Sequence, residues 1–281
     1  MVKRTWLITG INRGLGRDLA EALLERGDRV AGTARRLDEL DGLKATYGER
    51  LWTAALDLTD TGAIQSVVDR AFAALGRIDV VVNNAGFSLV GAVEECTEEM
   101  IRHILDTNLL GSILMVKAAL PHLRAQGGGR ILQVASSLGQ LAVPGLSLYV
   151  ASKWGIEGFI ESTAQEVAPF GIEATLFEPG QIRTDFGAKA ALAPTITAYD
   201  GTPARGIRSH AESSRNAKEK SAASPGDPTK MAKVIIDSVD QSPAPKRVVM
   251  GSDAYNDLSA AYRERSASLE TQKALAFSTD F

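Results

Sequence analysis

Short apolar runs alternate along the chain with longer segments of helical periodicity. Seven runs predict strands, at residues 6–9, 29–33, 51–56, 78–82, 131–135, 174–177 and 248–250. Between the third and fourth runs, Ile64, Val67, Val68, Ala71 and Phe72 recur at the spacing of one face of an amphipathic helix. Strands that alternate with helices are typical of βαβ units. The pattern therefore predicts an α/β fold built around a parallel sheet.

Two segments depart from this alternation. Residues 181–227 are rich in Ala, Ser, Gly, Pro and charged residues, and Pro194, Pro203 and Pro225 are expected to interrupt any long helix. We interpret this segment as a mobile lid or insertion over the substrate. Residues 252–281 form a C-terminal helical extension, with a polar helix over 255–276 that packs on the body or reaches a neighbouring subunit. With 281 residues, the whole chain (1–281) is expected to form one large domain.

Composition excludes several classes of function. The chain has 31 Lys and Arg against 34 Asp and Glu, a net charge of −3, so no nucleic-acid partner is expected. The single cysteine, Cys96, cannot form an internal disulfide, and the three histidines, His103, His122 and His210, lack metal-ligand spacing, so no metal is expected. No signal peptide and no run of about 18 apolar residues is present. We therefore expect a cytoplasmic protein with no membrane partner.

A glycine-rich loop follows the first predicted strand and opens a helix. It reads Thr9-Gly10-Ile11-Asn12-Arg13-Gly14-Leu15-Gly16. Glycines allow a tight turn and a close backbone approach to a pyrophosphate, and the following helix offers free N–H groups to anionic oxygens. The position between strand and helix favours dinucleotide binding over an ordinary tight turn.

The end of the second strand indicates which dinucleotide is bound. Residues 32–36 contain no carboxylate to hold a ribose diol but do contain Arg35 and Arg36. Arg35, helped by Arg13, can pair with a 2′-phosphate, which favours NADP(H) over NAD(H). Arg36 has the alternative of solvating the helix entrance. Asp57, after the third strand, either accepts a hydrogen bond from the adenine amine or caps the next helix.

Tyr149 and Lys153 stand about one helical turn apart, so a phenol and an ammonium share a face. A neighbouring cation favours the phenolate and is expected to lower the pKa of the tyrosine toward a range in which it exchanges a proton. The pair therefore predicts an acid/base device, the alternative being a half-buried aromatic side chain beside a solvated charge.

Taken together, these motifs resemble the classical short-chain dehydrogenase/reductase family. The resemblance rests on residues 9–16, Asp57-Leu58, Asn83-Asn84-Ala85-Gly86, Asn108, Ser136, the run Tyr149-Val150-Ala151-Ser152-Lys153 and Pro179-Gly180, in the order typical of that family. It implies a Rossmann-type, doubly wound sheet of seven parallel strands and hydride exchange between a nicotinamide and a carbonyl or alcohol carbon.

The resemblance also implies roles for individual residues. Tyr149 is the general acid in reduction and the base in oxidation, Lys153 lowers its pKa and holds the nicotinamide ribose, and Ser136 polarises the substrate oxygen. Asn108 holds a water that links Lys153 to solvent. The remaining cofactor contacts are assigned to Leu58, Asn84, Ala85, Gly86, Pro179, Gly180, Ile182 and Thr184.

Two adjacent serines leave the substrate-polarising residue open. Ser136 lies 13 residues before Tyr149 (149 − 136 = 13), the interval usual in the family, whereas Ser137 lies 12 before it (149 − 137 = 12). The interval favours Ser136 over Ser137.

The substrate pocket is expected beyond the carboxyl ends of the strands. Its predicted lining is mainly apolar and comprises Phe87, Ser88, Leu89, Leu141, Val143, Pro144, Leu146, Gln181 and Phe186. This lining favours a medium-sized apolar ketone, aldehyde or alcohol, such as a sterol, a retinoid or an aryl ketone. The alternatives are a catalytically inactive NADP(H)-binding regulator of the same fold and, less favoured, an epimerase or dehydratase that acts on nucleotide sugars.

Assembly is predicted from the helix that carries Tyr149. Over residues 147–168 it presents Trp154, Ile156, Phe159 and Ile160, more apolar surface than one core contact requires. We therefore expect a homodimer or homotetramer.

Overall fold

A computed structural model describes residues 2–216 and 224–281 of the chain. Its main sheet has seven parallel strands in the order β3-β2-β1-β4-β6-β7-β9. These strands are β1 (Thr5–Thr9), β2 (Arg29–Ala34), β3 (Leu51–Ala55), β4 (Val80–Asn83), β6 (Gly129–Val134), β7 (Ile172–Pro179) and β9 (Arg247–Met250), and a second small sheet pairs β5 (Leu89–Val90) with β8 (Ala191–Leu192). The predicted doubly wound, seven-stranded sheet is confirmed.

Helices cover both faces of the sheet. They are α1 (Gly14–Arg26), α2 (Asp41–Tyr47), α3 (Thr61–Leu75), α4 (Glu98–Leu105), α5 (Gly111–Ala125), α6 (Ser147–Val167), α7 (Pro203–Asn216), α8 (Pro228–Ser238), α9 (Ser252–Thr271) and α10 (Lys273–Phe277). On one face α1, α2 and α8 bury Trp6 and Ile8 of β1, and on the other α3, α5 and α6 bury Leu7. This alternation follows from the two-residue period of a strand.

The predicted amphipathic helix is α3. All five of its predicted core residues are buried in the structure. Asp60 caps its start by accepting a hydrogen bond from the N–H of Ala63 at 3.2 Å. Because Asp60 is the cap, the alternative role of Asp57 as a helix cap is wrong.

The predicted lid segment is more ordered than its composition suggested, over the residues that the structure describes. Helix α7 spans 14 residues and begins at Pro203, so the expectation that prolines would prevent a long helix here was wrong. A proline in the first turn of a helix breaks no hydrogen bond, because the N–H that it lacks would have no partner there. Residues 217–223, which belong to the same predicted lid, lie outside the described residues.

A buried carboxylate ties this segment to the body. Glu95 Oε1 accepts hydrogen bonds from the Ile196 N–H and from Arg205, both at 3.1 Å, and its Oε2 accepts from the Ala92 N–H at 2.9 Å. These hydrogen bonds hold the pKa of Glu95 below its usual range although burial acts to raise it. Glu95 therefore attaches the lid segment to the loop after β5, in addition to the pairing of β8 with β5.

The C-terminal extension packs on the body at the beginning of α9 and contacts it again through Arg265, whose guanidinium lies 4.8 Å from the centre of the Trp154 ring. Ala254 and Leu258 of α9 are buried, and the side chains of residues 263–281 are exposed. The phenol of Tyr262 donates to Gln140 Oε1 at 2.7 Å, which links α9 to the loop after β6.

The helical stretch Glu98–Ala125 is long and apolar enough, by length and composition alone, to cross a membrane. The sequence contains no uninterrupted apolar run of that length. In the structure 44% of its most apolar 18-residue stretch is buried, and Met115, Val116, Ala119 and Leu123 lie in the core. Packing inside the protein therefore accounts for part of this apolar stretch.

Candidate active site

The glycine-rich loop forms a cradle at the carboxyl end of β1. Gly10 and Gly14 have φ angles of 73° and 56°, a left-handed region that other residues rarely adopt. A Cβ on Gly16 would lie 2.4 Å from the carbonyl oxygen of Gly10, so a side chain there would fill the loop. Arg13, the residue before α1, does not cap the helix with its side chain. It therefore leaves the N–H groups of the first turn uncovered. The loop thus has the shape and the donors that a pyrophosphate requires.

Asn84 and Thr9 fix this loop to the end of β4. The Asn84 side-chain amide donates to the carbonyl oxygens of Thr9 at 2.9 Å and Gly10 at 3.0 Å. The Thr9 hydroxyl accepts from the N–H groups of Asn84 at 3.0 Å and Ala85 at 3.1 Å. The motif at residues 83–86 therefore acts as a scaffold for the loop, with Ala85 in contact distance of Gly10.

The two arginines after β2 differ in their surroundings. Arg36 lies 3.3 Å from both Asp38 and Glu39, and Glu39 also accepts a hydrogen bond from Asn12 at 2.6 Å. Within the described part of the chain, Arg35 is exposed and forms no ion pair within 4.0 Å. Arg35 is therefore the guanidinium available to an added anion, and Arg36 is held by neighbouring carboxylates.

Asp57 lies in the field of Arg35. Its carboxylate accepts from the N–H of Thr59 at 2.9 Å and from the Thr59 hydroxyl at 2.8 Å. Burial acts to raise the pKa of Asp57, but these two hydrogen bonds and the charge of Arg35 outweigh it, so the pKa lies below its usual range. Asp57 is an oriented, ionised acceptor just after β3, next to the buried Leu58.

The segment after β7 closes over the glycine-rich loop. Thr184 would lie 3.7 Å from a Cβ on Gly14, and Asp185 Oδ2 lies 3.6 Å from Arg13 Nη1. The segment that carries Thr184 therefore lies against Arg13 and Gly14 of the glycine-rich loop. Ile182 pairs with Gly226 through an isolated parallel bridge.

An acidic residue that the sequence analysis missed holds the Pro179-Gly180 turn. Asp253, at the start of α9, accepts from the Gln181 N–H at 2.7 Å. A Cβ on Gly180 would lie 2.3 Å from Asp253 Oδ2, so only glycine fits. No local signal marks Asp253, because it lies 72 residues beyond Gln181 in the chain.

Asn108 lies at the centre of the predicted catalytic residues. It occupies a π-helical turn, Asp106–Leu110, a rare geometry that is frequent at functional sites. Its side chain accepts from the Phe87 N–H at 3.0 Å and donates to the Phe87 carbonyl at 2.9 Å and to Ser152 at 3.2 Å. A Cβ on Gly86 would lie 3.1 Å from Asn108 Oδ1 and 3.9 Å from Lys153 Nζ. The predicted residues Gly86, Asn108 and Lys153 therefore meet.

Ser136 and Tyr149 face each other across the site. Ser136 lies two residues after the end of β6 and precedes the turn Ser137–Gly139, where its hydroxyl accepts from the Leu138 N–H at 3.1 Å. Tyr149, on the buried face of α6, is 7% exposed. Burial raises the pKa of Tyr149 to about 12, and a hydrogen bond with the Ser136 side chain acts in the opposite direction. The geometry favours Ser136 as the partner of the phenol.

Lys153 lies beneath the tyrosine. Its ammonium donates to the Val134 carbonyl at 3.0 Å and lies 5.7 Å from the centre of the Tyr149 ring. Burial lowers the pKa of Lys153 to about 8. The expectation that this cation would bring the pKa of Tyr149 down is wrong, because burial has the larger effect on both groups.

The wall around Tyr149 is apolar. It includes the predicted Phe87 and Leu89, and Phe186, whose ring centre lies 6.2 Å from that of Tyr149. The structure adds residues that the sequence analysis missed: Met100, Ile104, Leu105, Leu138, Leu148 and Ala191. By contrast, Val143 and Pro144 line a different groove of about 600 Å³ along α6, whose lining includes Trp154 and not Tyr149.

Part of the predicted interface on α6 is wrong. Ile156 and Ile160 are 0% and 2% exposed and lie in the core on the same face as Tyr149. Trp154 is 44% exposed, and Phe159 is partly buried against the core. Only Trp154 retains the exposure that an interface between chains would use.

Comparison with known proteins identifies the family. The short chain dehydrogenase family matches residues 4–194. The chain is 38% identical over 278 residues to oxidoreductase BOA17 of Botryotinia fuckeliana (strain B05.10), covering 98% of this chain and 99% of that protein. A short-chain dehydrogenase from Streptomyces avermitilis, of known crystal structure, has a TM-score of 0.89 at 37% identity and covers 99% of this chain and 100% of its own. The chain belongs to the short-chain dehydrogenase family of oxidoreductases, which use nicotinamide dinucleotides.

More distant structures of the same fold contain different cofactors. An enzyme from Burkholderia cenocepacia J2315 in complex with NADP has a TM-score of 0.73 at 24% identity, covering 94% of this chain and 95% of its own. Another from Burkholderia phymatum in complex with NAD has a TM-score of 0.78 at 20% identity, covering 96% and 95%. Since the fold accommodates both cofactors, the preference of this chain depends on its own residues.

Proposed function

We propose that this protein is an NADP(H)-dependent oxidoreductase that interconverts a medium-sized, mainly apolar ketone or aldehyde with the corresponding alcohol. The observation that carries the proposal is the juxtaposition of Ser136, Tyr149 and Lys153 in a buried apolar pocket beside the glycine-rich loop. These groups supply hydrogen-bond donors where a carbonyl oxygen would gain charge.

The residues present fit a dinucleotide with a 2′-phosphate. The loop formed by Gly10, Gly14 and Gly16 would hold the pyrophosphate, and Arg35 would pair with the 2′-phosphate because no carboxylate of the described residues occupies it. Asp57 would accept from the adenine amine. When bound, the cofactor supplies or accepts the hydride, so the protein has to provide only position, a proton and an electrostatic field.

The proton in this scheme comes from Tyr149. With a pKa of about 12, the phenol is protonated at neutral pH, as a donor for carbonyl reduction must be. Ser136 orients the substrate oxygen toward the phenol. The Lys153 ammonium stabilises the phenolate that remains after proton transfer and is placed to hold the nicotinamide ribose.

The pocket wall supports an apolar substrate. The side chains around Tyr149 include Phe87, Leu89, Leu138 and Phe186, and the Lys153 ammonium lies 5.7 Å from the centre of the Tyr149 ring. A strongly anionic substrate would find no arginine in this cluster. Apolar walls with a few converging polar groups are typical of sites for small apolar ligands.

The proposal is tested with a panel of apolar ketones and aldehydes, followed at the absorbance of the reduced nicotinamide with NADPH and NADH in parallel. We expect turnover with NADPH and a preference for NADPH over NADH. Binding of NADPH without its oxidation by any carbonyl of the panel would favour a binding protein of the same fold and overturn the proposal.

A further inference from the structure

A buried cluster of charges lies directly behind the catalytic residues. It joins Glu157, one helical turn beyond Lys153 on α6, to Glu178 at the end of β7 and Arg247 on β9. Arg247 Nη1 donates to Glu157 Oε2 at 2.6 Å and to Glu178 Oε1. The side chains of Glu157 and Glu178 are 3% and 1% exposed. Glu161, which is 52% exposed, accepts from the Nε of the same arginine at 2.9 Å.

The cluster contains more carboxyl groups than its one arginine can fully pair. One oxygen of Glu157 and one of Glu178 are buried without a hydrogen-bond partner among the described residues. Burying a carboxylate oxygen without a partner costs free energy, and a buried ion pair does not reliably return that cost. A contribution to stability therefore does not explain why these carboxyl groups are buried here.

Both carboxylates support the turn that carries Ser136. A Cβ on Gly139 would lie 1.8 Å from Glu157 Oε1, so this carboxylate lies directly against the turn. The Gln140 side chain donates to Glu178 Oε1 at 3.0 Å. The position of the serine turn relative to α6 thus depends on what occupies positions 157 and 178.

Glu157 is also within electrostatic reach of Lys153. Residues four apart on a helix face lie about 6 Å apart at Cβ, and both side chains are buried on the same face of α6. Burial lowers the pKa of Lys153, and the negative charge of Glu157 opposes that effect.

We propose that Glu157 is a positioning residue of this site, which holds the serine turn against α6 and keeps the Lys153 ammonium charged. The effect of Glu157 on turnover rests on the proposed function, whereas the effect of Glu157 on Lys153 does not. Glu157 touches neither the phenol nor the reacting atoms in this scheme and acts through Ser136 and Lys153.

The charge of Glu157 itself depends on pH. Burial raises the pKa of Glu157 to about 7, and the hydrogen bond from Arg247 only partly offsets it. The other charged or titratable groups that face the cluster are Lys153 and Glu161 on α6, Glu178 on β7, and Tyr262 and Arg265 on α9. The support that Lys153 receives therefore weakens as the pH falls through about 7.

The test is a pH titration of Lys153 by NMR in protein labelled at the lysine ε-carbons, with Lys153→Met used to assign the signal. In Glu157→Gln, which keeps the shape and removes the charge, we expect the titration midpoint of Lys153 to fall by about one pH unit. The matched control is Glu161→Gln, one turn further along the same helix and bound to the same arginine, in which the midpoint stays at its wild-type value. An unchanged midpoint in Glu157→Gln, or an equal change in both variants, overturns the proposal.

A measurement on the unmodified protein covers the case in which Glu157→Gln does not fold. The Lys153 signal should show a second, smaller step near pH 7, where Glu157 ionises, and its absence overturns the proposal. Turnover separates this inference from the proposed function. A shifted Lys153 titration in a protein that oxidises no NADPH would leave the inference standing and remove the proposed function. An active protein in which Glu157→Gln leaves the Lys153 titration unshifted would leave the proposed function standing and remove the inference.

Discussion

The contrast between Arg35 and Arg36 gives the sharpest prediction about the cofactor. Arg35 is exposed and unpaired in the described structure, whereas Arg36 lies 3.3 Å from two carboxylates. We predict that Arg35→Ala weakens NADPH binding and leaves NADH binding unchanged, because only NADPH carries the 2′-phosphate. Arg36→Ala is the matched control and should change neither affinity more than about two-fold, since its charge is already neutralised by Asp38 and Glu39.

The size of the effect follows from the exposure of Arg35. Two unit charges about 4 Å apart interact by about 1 kcal/mol in water and about 4 kcal/mol near a protein surface. Since Arg35 is exposed, the lower part of this range, about 1 to 2 kcal/mol, applies, which is about a 5- to 30-fold loss of NADPH affinity. Arg35→Asp should lose more, because it places like charges together.

The assay is a fluorescence titration of each variant with NADPH and NADH at low and at moderate salt. The NADPH affinity of the wild type should fall as salt rises, and that of Arg35→Ala should fall less. Equal losses for both nucleotides in Arg35→Ala, or an NADPH-specific loss in Arg36→Ala, would refute the assignment of the phosphate site.

Three further predictions follow from the site and its surroundings. Ser136→Ala should lower turnover about 100-fold and Ser137→Ala less than about 10-fold, as expected when one donor to a developing oxyanion is lost; the reverse order in steady-state kinetics would move the role to Ser137. Because the pKa of Glu157 is raised to about 7, the folded state binds its proton more tightly than the unfolded state, so this group's contribution to stability falls as the pH rises from about 4.5 to 7. As the pH rises from 5 to 7.5, the difference in Tm between Glu157→Gln and the wild type should therefore change in favour of the variant. A Tm difference that does not depend on pH would contradict the raised pKa of Glu157. NADPH should slow proteolysis within residues 181–216, because Thr184 and Asp185 of this segment contact the glycine-rich loop. Equal cleavage rates with and without NADPH would argue against closure over the cofactor.

The sequence was sufficient for the sheet and for the order of its motifs. Each strand of the main sheet contains a short, mainly apolar run, and the amphipathic spacing of α3 specifies its buried face without reference to the rest of the chain. Features of this kind depend on neighbouring residues only, so they can be predicted locally.

Features that depend on distant partners could not be predicted in the same way. The sequence left Asp57 as either an adenine ligand or a helix cap, and the structure shows that Asp60 is the cap. Helix α7 is fastened to the body by Glu95, which lies 110 residues before Arg205. Composition alone therefore indicated a less structured lid than the structure contains.

Helix α6 shows the same limit for residues that are close together in the sequence. Helical spacing placed Tyr149 and Lys153 on one face, but the burial that controls both pKa values comes from the surrounding elements. Glu157 is one turn from Lys153 in sequence, and its partners Glu178 and Arg247 come from separate strands. The sequence could indicate the acid/base pair and not the environment that sets its protonation.

The central claim is that the Tyr149 phenol donates the proton in an NADPH-dependent carbonyl reduction. It is tested most directly by comparing the wild type with Tyr149→Phe for NADPH binding by fluorescence and for NADPH oxidation with a carbonyl that the wild type reduces. The account predicts that Tyr149→Phe binds NADPH within about three-fold of the wild type and loses turnover by at least about 100-fold. A variant that binds NADPH and still reduces the carbonyl at a rate near that of the wild type would contradict it.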